Sequence, residues 1–304
     1  MKIIDSIFEQ TRSKLEAREI KFKMNIKNFI RNSNSWRELN KQLEKLTKSK
    51  QTKIASDIFE YLNKLYLETA PQYKSKLRKV YLLNEIPLSI KKKLNLPDTD
   101  EGIDLIAETF ENEYWAIQSK YRSNPKESLT IKDDLSTFNN LAFTHCKNIT
   151  HAIVCTTVSK PPKKTKLIKS VGFETLETWL SLDDNDLFKQ IRAKTKGKVF
   201  KPKALKPRAH QLDAIKKTIE HLKFNDRGKI IMPCGTGKSL TAFWIAKKMN
   251  VKSILIAVPS LALLQQTLKV WTREFLINNI QPEWFCVCSD DSVKEEQDDF
   301  VTDT

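Results

Sequence analysis

Long apolar runs are missing from this sequence. No stretch approaches the ~20 consecutive apolar residues that a membrane-spanning helix needs. The first residues, Met1 to Asp5, lack the apolar core of a signal peptide. Both absences argue against a membrane protein and a secreted protein, and they predict a cytoplasmic protein with no membrane partner.

Cysteine is scarce, and its spacing is not that of a metal site. The five cysteines stand at positions 146, 155, 234, 286 and 288, and no C-x-x-C pair occurs. An odd number without such spacing predicts reduced thiols, mostly small core residues. Cys286 and Cys288 have no histidine nearby, which argues against zinc.

Acidic residues are outnumbered by basic ones. The sequence has 53 Lys and Arg against 37 Asp and Glu, which gives a net charge of +16. Such an excess favours a polyanionic partner, usually nucleic acid, although charge alone goes no further. The length of 304 residues predicts about two domains, each able to bury a core.

A short hairpin carries the first chemically informative side chains. Glu101 to Glu108 and Glu113 to Arg122 are β-rich segments joined by a polar turn. Because side chains alternate faces along a strand, Gln118 and Lys120 share one face of the second strand. Asp104 on the first strand can meet them at the open end of the sheet. Together they could hold a divalent cation beside a phosphodiester.

The same residues resemble a known nuclease core. Gly102-Ile103-Asp104 followed by Gln118-Ser119-Lys120 is similar to Mrr-type nucleases of the PD-(D/E)xK superfamily. The resemblance implies that Asp104 and Gln118 ligate Mg²⁺ and that Lys120 orients water or stabilises developing charge. Gln118 is a departure, since a neutral amide binds a hard cation more weakly than a carboxylate. An ordinary surface hairpin is the alternative, because short patterns recur by chance.

The elements around the hairpin follow the order of that superfamily. Periodicity predicts helix, three strands, helix and strand, over residues 53–69, 80–86, the two hairpin segments, about 128–146 and 151–157. In the second helix, we expect Leu135, Phe138, Leu141 and Ala142 to face inward, with Ser128 or Thr130 as the cap.

Further acids near the hairpin are candidates for metal binding. Phe59-Glu60 in the first helix resembles a Phe-Glu pair of Mrr-type nucleases, which implies that Glu60 assists the metal. Glu60 also lies roughly opposite the apolar stripe of its helix, so a solvated charge is an equal alternative. Asp98 and Asp100 are alternative ligands in the loop before the hairpin.

A second motif, typical of nucleotide binding, lies in the C-terminal third. Lys229 to Pro233 predicts a strand, Cys234-Gly-Thr-Gly-Lys-Ser239 is a Gly-rich turn, and a helix follows. Gly235, Thr236 and Gly237 would present backbone N–H groups to phosphate at the helix N-terminus. Lys238 would reach the β- and γ-phosphates of ATP, and Ser239 would ligate Mg²⁺.

The flanking segments resemble superfamily-two helicases. Arg208-Ala209-His210-Gln211 is similar to the R-x-x-Q segment before the P-loop, which implies that Gln211 contacts adenine. An exposed residue on an amphipathic helix is the alternative. Ile254 to Ser260 predicts a buried strand that ends in a segment resembling a single-strand-contacting motif, and Trp284 to Cys288 predicts one more strand.

The expected fold class is α/β. We predict a restriction-endonuclease-like αβββαβ core followed by an incomplete P-loop RecA-like α/β lobe. The predicted regions are a helical N-terminal region (1–50), an Mrr-type nuclease domain (51–190), a basic linker (191–207) and a partial helicase ATP-binding domain (208–304). The basic linker is either solvated or a strip along the DNA backbone.

From about Trp36 to Asp291 the chain resembles the N-terminal part of Type ISP restriction–modification enzymes. The resemblance implies Mg²⁺-dependent cleavage of double-stranded DNA and ATP-driven translocation. No Asp-Glu pair follows the P-loop, so ATP hydrolysis by this chain alone is doubtful, and we expect a truncated or interrupted reading frame or a split protein. The remaining helicase and methyltransferase part, on a separate chain, is then a candidate partner. The alternatives are a non-catalytic DNA- and ATP-binding remnant and a split helicase completed by a neighbouring gene product.

Overall fold

The computed structural model describes residues 25–97, 102–162, 171–184, 186–200 and 202–287. The chain divides into two compact units, Met1–Lys201 and Pro202–Thr304. The helix prediction for residues 1–24, the candidate ligands Asp98 and Asp100, Cys288 and the acidic stretch 289–304 lie outside the described residues. Among those residues no helix is long and apolar enough to cross a bilayer.

The first unit combines helices with a sheet. Residues 25–32 are helical. The labelled helices are α1 (Trp36–Lys48), α2 (Thr52–Leu67), α3 (Pro71–Lys74), α4 (Leu88–Leu94), α5 (Ser136–Asn140), α6 (Leu176–Asp184) and α7 (Leu187–Thr195). The strands are β1 (Leu77–Leu82), β2 (Leu105–Thr109), β3 (Tyr114–Lys120), β4 (Ile149–Thr156) and β5 (Val171–Glu174). Wider π-helical turns, Ile131–Leu135 and Leu141–His145, flank α5 and make one helical run over 131–145.

A mixed five-stranded sheet lies at the centre of this unit. The strands are ordered β1-β2-β3-β4-β5. The pairs β1–β2 and β2–β3 are antiparallel, and β3–β4 and β4–β5 are parallel. The predicted order of helix, three strands, helix and strand is confirmed. Strand β5 is an addition, since the sequence predicted only a helix from about Glu174.

Helices cover both faces of the sheet. Along β2 and β3, Leu105 and Ile117 turn to a first core, formed with α1, α2, α6 and α7. Ile106 and Ala116 turn to a second core, formed with α4 and the helical run 131–145. This alternation follows from the two-residue period of a strand. The four residues predicted to face inward from the helical run, Leu135, Phe138, Leu141 and Ala142, are buried in the second core, and Thr130 caps the run.

Aromatic side chains join the N-terminal helices to the sheet. Phe59 of α2 lies 6.3 Å from Trp36 of α1 and 5.1 Å from Trp179 of α6, centroid to centroid. The indole of Trp179 donates to the carbonyl of Thr156 on β4 at 2.7 Å. Helix α1 therefore belongs to the same core as the sheet.

Helix α7 overlaps the predicted basic linker. Phe188 and Ile191 of α7 are buried in the first core, and the carbonyl of Thr195 accepts a hydrogen bond from Arg31 at 2.7 Å. The apolar pair at i and i+3 marks the inner side of α7. The first residues of the predicted linker, 191–195, are thus folded helix.

The second unit is helical in its described residues. Its helices are α8 (Ala209–His221), α9 (Lys238–Met249) and α10 (Leu261–Ile277). Phe243 of α9 packs edge to face on Trp271 and Phe275 of α10, with centroids 5.5 and 5.0 Å apart. These contacts make a small aromatic core.

The prediction of strands in this unit is wrong, because none forms within the described residues. Residues 229–233, 254–260 and 284–287 pair with no strand there, and Leu255, predicted to be buried, is 96% exposed. An extended segment becomes a strand only when a neighbour pairs its backbone groups. An apolar run predicts that a segment can be buried, but it does not supply the neighbour.

Candidate functional site

Asp104 lies at the end of the β2–β3 ladder. Leu105 pairs with Ile117 at the end of the antiparallel register, so Asp104, one residue earlier, lies just beyond the last pair. The backbone N–H of Asp104 donates to the carbonyl of Ile117 at 3.0 Å. Its carboxylate Oδ2 accepts the backbone N–H of Ser119 at 2.5 Å. The acid is therefore held beside the Gln-Ser-Lys segment, as the hairpin predicts.

Gln118 places a buried amide next to the turn that precedes Asp104. It is 3% exposed. A Cβ built on Gly102, whose φ is +112°, would lie 3.5 Å from Gln118 Nε2. Gln118 Oε1 is buried and has no hydrogen-bond partner among the described residues. A buried carbonyl oxygen without a donor costs about 1–3 kcal/mol, and a divalent cation would satisfy it. The donor set therefore fits a hard metal ion.

Lys120 ends β3 on the same face as Gln118. The alternation along the strand fixes this side, and the backbone carbonyl of Lys120 accepts the hydroxyl of Thr156 at 2.9 Å. The side chain is half-buried. Two residues on, Arg122 forms an ion pair with Asp134 at 2.7 Å. The end of β3 thus carries an amide, an ammonium and a fixed guanidinium.

Glu60 lies on α2, the helix that packs against β3 from the first core. Asn63, three residues later, donates to Ser119 Oγ at 2.6 Å. Since residues i and i+3 share a helix face, Glu60 lies on the side of α2 that carries this contact, and it is half-buried rather than fully solvated. The structure therefore places Asp104, Gln118 and Lys120 at the same end of the central strands β2 and β3, and Glu60 on the helix that packs behind them.

The charge of Asp104 acts across the sheet. Burial raises the pKa of Cys155 on β4 well above its ordinary value, and the negative charges of Glu174 and then Asp104 raise it further. Cys155 pairs with Ser119 in the parallel register. Among the described residues no group of three or more His, Cys, Asp or Glu side chains forms a metal cluster, so any metal site here relies on the amide of Gln118.

Asn63 and Ser119 are contact residues that the sequence analysis missed. Asn63 is fully buried in the apolar face of α2. A polar residue one turn after Glu60, within an otherwise apolar face, was the available signal. Its partner is 56 positions away, which no local pattern reveals.

The Gly-rich turn leads into α9 as the motif predicts. Gly235 and Gly237 have φ of +74° and +81°, and Gly237 caps the helix, which begins at Lys238. Lys238 Nζ donates to the carbonyls of Met232 and Pro233 at 3.4 and 3.3 Å. The first-turn N–H groups of α9 are thus presented at the loop, the arrangement that binds phosphate.

Two side chains contact the residues predicted to bind the nucleotide. The indole of Trp271 donates to Ser239 Oγ at 3.0 Å. Gln211 is buried, and its Nε2 donates to the carbonyls of Thr236 and Gly237 at 3.0 and 3.4 Å. Its Oε1 accepts the backbone N–H of Arg208 at 2.8 Å. Gln211 thus holds the loop and is not an exposed residue of α8, and its contact with adenine stays a prediction.

Comparisons with known families find one match in each of the two units. Residues 68–177 match the Mrr_cat_2 family, described as a restriction endonuclease. Residues 204–301 match the ResIII family, described as the res subunit of Type III restriction enzymes. No curated protein matches the chain.

A solved structure shares the fold. The ATP-dependent Type ISP restriction-modification enzyme LlaBIII bound to DNA superposes with a TM-score of 0.56 at 24% sequence identity. The alignment covers 80% of this chain and 15% of the LlaBIII chain. This chain therefore spans a small part of the length of that enzyme.

Proposed function

We propose that this chain is a Mg²⁺-dependent DNA endonuclease joined to the nucleotide-binding part of a DNA translocase. It carries an Mrr_cat_2 restriction-endonuclease domain followed by a ResIII helicase domain. The observation that carries the proposal is the buried Gln118 Oε1, which has no partner among the described residues. The residue that follows it, Ser119, donates its backbone N–H to the carboxylate of Asp104. The proposed substrate is double-stranded DNA, and the proposed location is the cytoplasm.

The side chains of the first unit divide the work of cleavage. Asp104 and Gln118 would hold Mg²⁺, with Glu60 as an additional acid from α2. Bound Mg²⁺ would polarise the phosphodiester and favour ionisation of a ligated water. Lys120 orients the attacking water and stabilises the negative charge that develops on the phosphate oxygens. Ser119 N–H keeps the carboxylate of Asp104 in place.

Nicking of a duplex plasmid with Mg²⁺ tests this assignment. We expect Lys120→Ala to reduce the rate roughly 100- to 1,000-fold, since it removes a group that stabilises transition-state charge. Lys126→Ala is the matched control, because Lys126 is an exposed lysine outside the site. Equal rates for wild type and Lys120→Ala, with unchanged thermal unfolding, would refute the nuclease assignment.

The second unit is proposed to bind ATP without completing its hydrolysis. Gly235, Thr236 and Gly237 supply the phosphate cradle, and Lys238 and Ser239 contact phosphate and Mg²⁺. The contacts that Lys238 makes with the loop carbonyls are ones that phosphate oxygens would replace. No Asp-Glu pair occurs between Ser239 and Thr304, so residues 1–304 by themselves are expected to bind ATP without turnover.

A split helicase is the second candidate, and one observation favours it. Ile231 and Leu255 are strongly exposed within extended segments that have no strand partner among the described residues. Further helicase elements, on a continuation of this polypeptide or on a separate chain, would cover them. Co-purification with the product of the adjacent reading frame, together with ATPase activity of the pair, would support this candidate. Absence of both would reject it in favour of a DNA- and ATP-binding remnant.

A further inference from the structure

Ser119 is hydrogen-bonded on two sides at the centre of the proposed nuclease site. Its backbone N–H donates to Asp104 Oδ2 at 2.5 Å, and its Oγ accepts from Asn63 Nδ2 at 2.6 Å. The alternation along β3 sends Gln118 and Lys120 to one face of the sheet and Ser119 to the other, toward α2. One residue therefore links the candidate acid to the helix behind the sheet.

Asn63 occupies a position where an amide is costly. It is 0% exposed and sits among apolar residues of α2 in the first core, and its Oδ1 has no partner among the described residues. Leaving a buried polar atom unpaired costs about 1–3 kcal/mol. An apolar side chain of the same size would avoid that loss. The amide is therefore better explained by the contact with Ser119 than by stability.

We propose that Asn63 and Ser119 form a positioning pair that sets the Gln118–Lys120 segment against Asp104 and so raises the affinity of the site for a divalent cation. The proposal rests on the proposed nuclease function and deepens it. Because neighbouring side chains on a strand point to opposite faces, fixing Ser119 from behind also fixes the directions of Gln118 and Lys120. Neither member of the pair contacts the metal; both act through the ligands.

Metal binding by the full chain without DNA tests the pair directly. We expect Ser119→Ala and Asn63→Leu to weaken Mn²⁺ binding, measured by titration calorimetry, roughly 10-fold, the low end of the effect of changing the residues that support a metal ligand. Each variant keeps the Ser119 N–H that contacts Asp104 but removes the hydrogen bond between Asn63 and Ser119 that positions it. The Mg²⁺ concentration for half-maximal nicking should rise by the same factor. Ser119→Thr, which retains the hydroxyl, should restore binding. Ser49→Ala is the control, since Ser49 is an exposed residue at the end of α1.

Stability separates positioning from packing. Asn63→Leu removes a buried amide, so it should unfold at the same temperature as wild type or higher while binding Mn²⁺ more weakly. Unchanged Mn²⁺ affinity in Asn63→Leu, or a loss in Ser119→Ala that Ser119→Thr does not restore, overturns the pair. A wild-type chain that neither binds Mn²⁺ nor nicks DNA rejects the nuclease function itself, which is a distinguishable result.

Discussion

At the residue scale, Gly237 shows how a neighbouring side chain can leave no room for a Cβ atom. Its φ is +81°, and a Cβ built on it would lie 2.5 Å from Gln211 Nε2. We expect Gly237→Ala to displace Gln211 from the P-loop and to abolish binding of a fluorescent ATP analogue, in addition to about 1–2 kcal/mol of backbone strain.

Gly197→Ala is the matched control for that strain. Gly197 has φ of +66°, and a Cβ added there would meet nothing within 4 Å, so the change adds strain without a clash, in the other unit. Nucleotide affinity should then equal that of wild type. Normal affinity in Gly237→Ala would show that Gln211 does not need its place against the loop.

The buried thiol of Cys146 is expected to make the folded protein less stable at alkaline pH. Burial raises the pKa of Cys146 from 9.0 to about 11. Between these values the folded state binds more protons than the unfolded state, so the free energy of unfolding falls as pH rises from about 9 to about 11. Cys146→Ala should flatten this part of the curve of melting temperature against pH. Cys234→Ala, at an exposed position, should leave the curve as in wild type; identical slopes in all three proteins would contradict the prediction.

The sequence could predict side chains that belong to one local pattern. Asp104, Gln118 and Lys120 fall within a single hairpin, whose geometry determines which of them can meet. The contact between Asn63 and Ser119 depends on how α2 docks on the sheet. The contact between Gln211 and Thr236 likewise joins two separate elements. Docking is decided by the whole core, which is why these two contacts were not predicted.

At the element scale, strand β5 is held by a buried carboxylate. Glu174 accepts hydrogen bonds from the hydroxyls of Tyr66 at 3.1 Å, Tyr73 and Thr178. These residues come from α2, α3 and the start of α6, so one side chain ties three helices to the edge of the sheet. We expect Glu174→Ala to lower the free energy of unfolding by about 3 kcal/mol, because it leaves buried hydroxyls unpaired.

Urea unfolding of the full chain measures this loss. Glu177→Ala is the control, since Glu177 is an exposed acid on α6 and its removal should change the midpoint little. A midpoint for Glu174→Ala equal to that of the control would show that the carboxylate is dispensable for β5.

Elements with strong periodicity were predictable, and short ones were not. The apolar stripe of Ile54, Ile58, Leu62 and Leu65 predicted α2, and in the structure this stripe packs in the first core. Strand β5 has four residues, too few for a periodic signal, and pairing with β4 stabilises it. In the second unit the apolar runs indicated strands, but strand formation depends on partners elsewhere in the chain.

At the scale of the whole molecule, the first unit contains both of its cores. The residues of the first and second cores run from Ile26 to Ile191, all before Pro202, where the second unit begins. We therefore expect a fragment of residues 1–201 to fold alone and to melt within a few degrees of the corresponding transition in the full chain. Differential scanning calorimetry of both proteins measures this, and a fragment without a cooperative transition would contradict it.

The second unit, in contrast, is not expected to behave as a well-folded monomer when it is isolated. Its described residues include strongly exposed apolar side chains, and three of them, Phe224, Leu255 and Phe285, are 88%, 96% and 88% exposed. Apolar surface of this kind favours association and dye binding. A fragment of residues 202–304 should therefore bind anilinonaphthalene sulfonate and elute heterogeneously on size exclusion, whereas fragment 1–201 should not.

A partner chain that covers these side chains would suppress both signals. Loss of dye fluorescence on adding the adjacent gene product would therefore identify that partner. A sharp monomer peak without dye binding would instead show that the unit covers its own apolar surface.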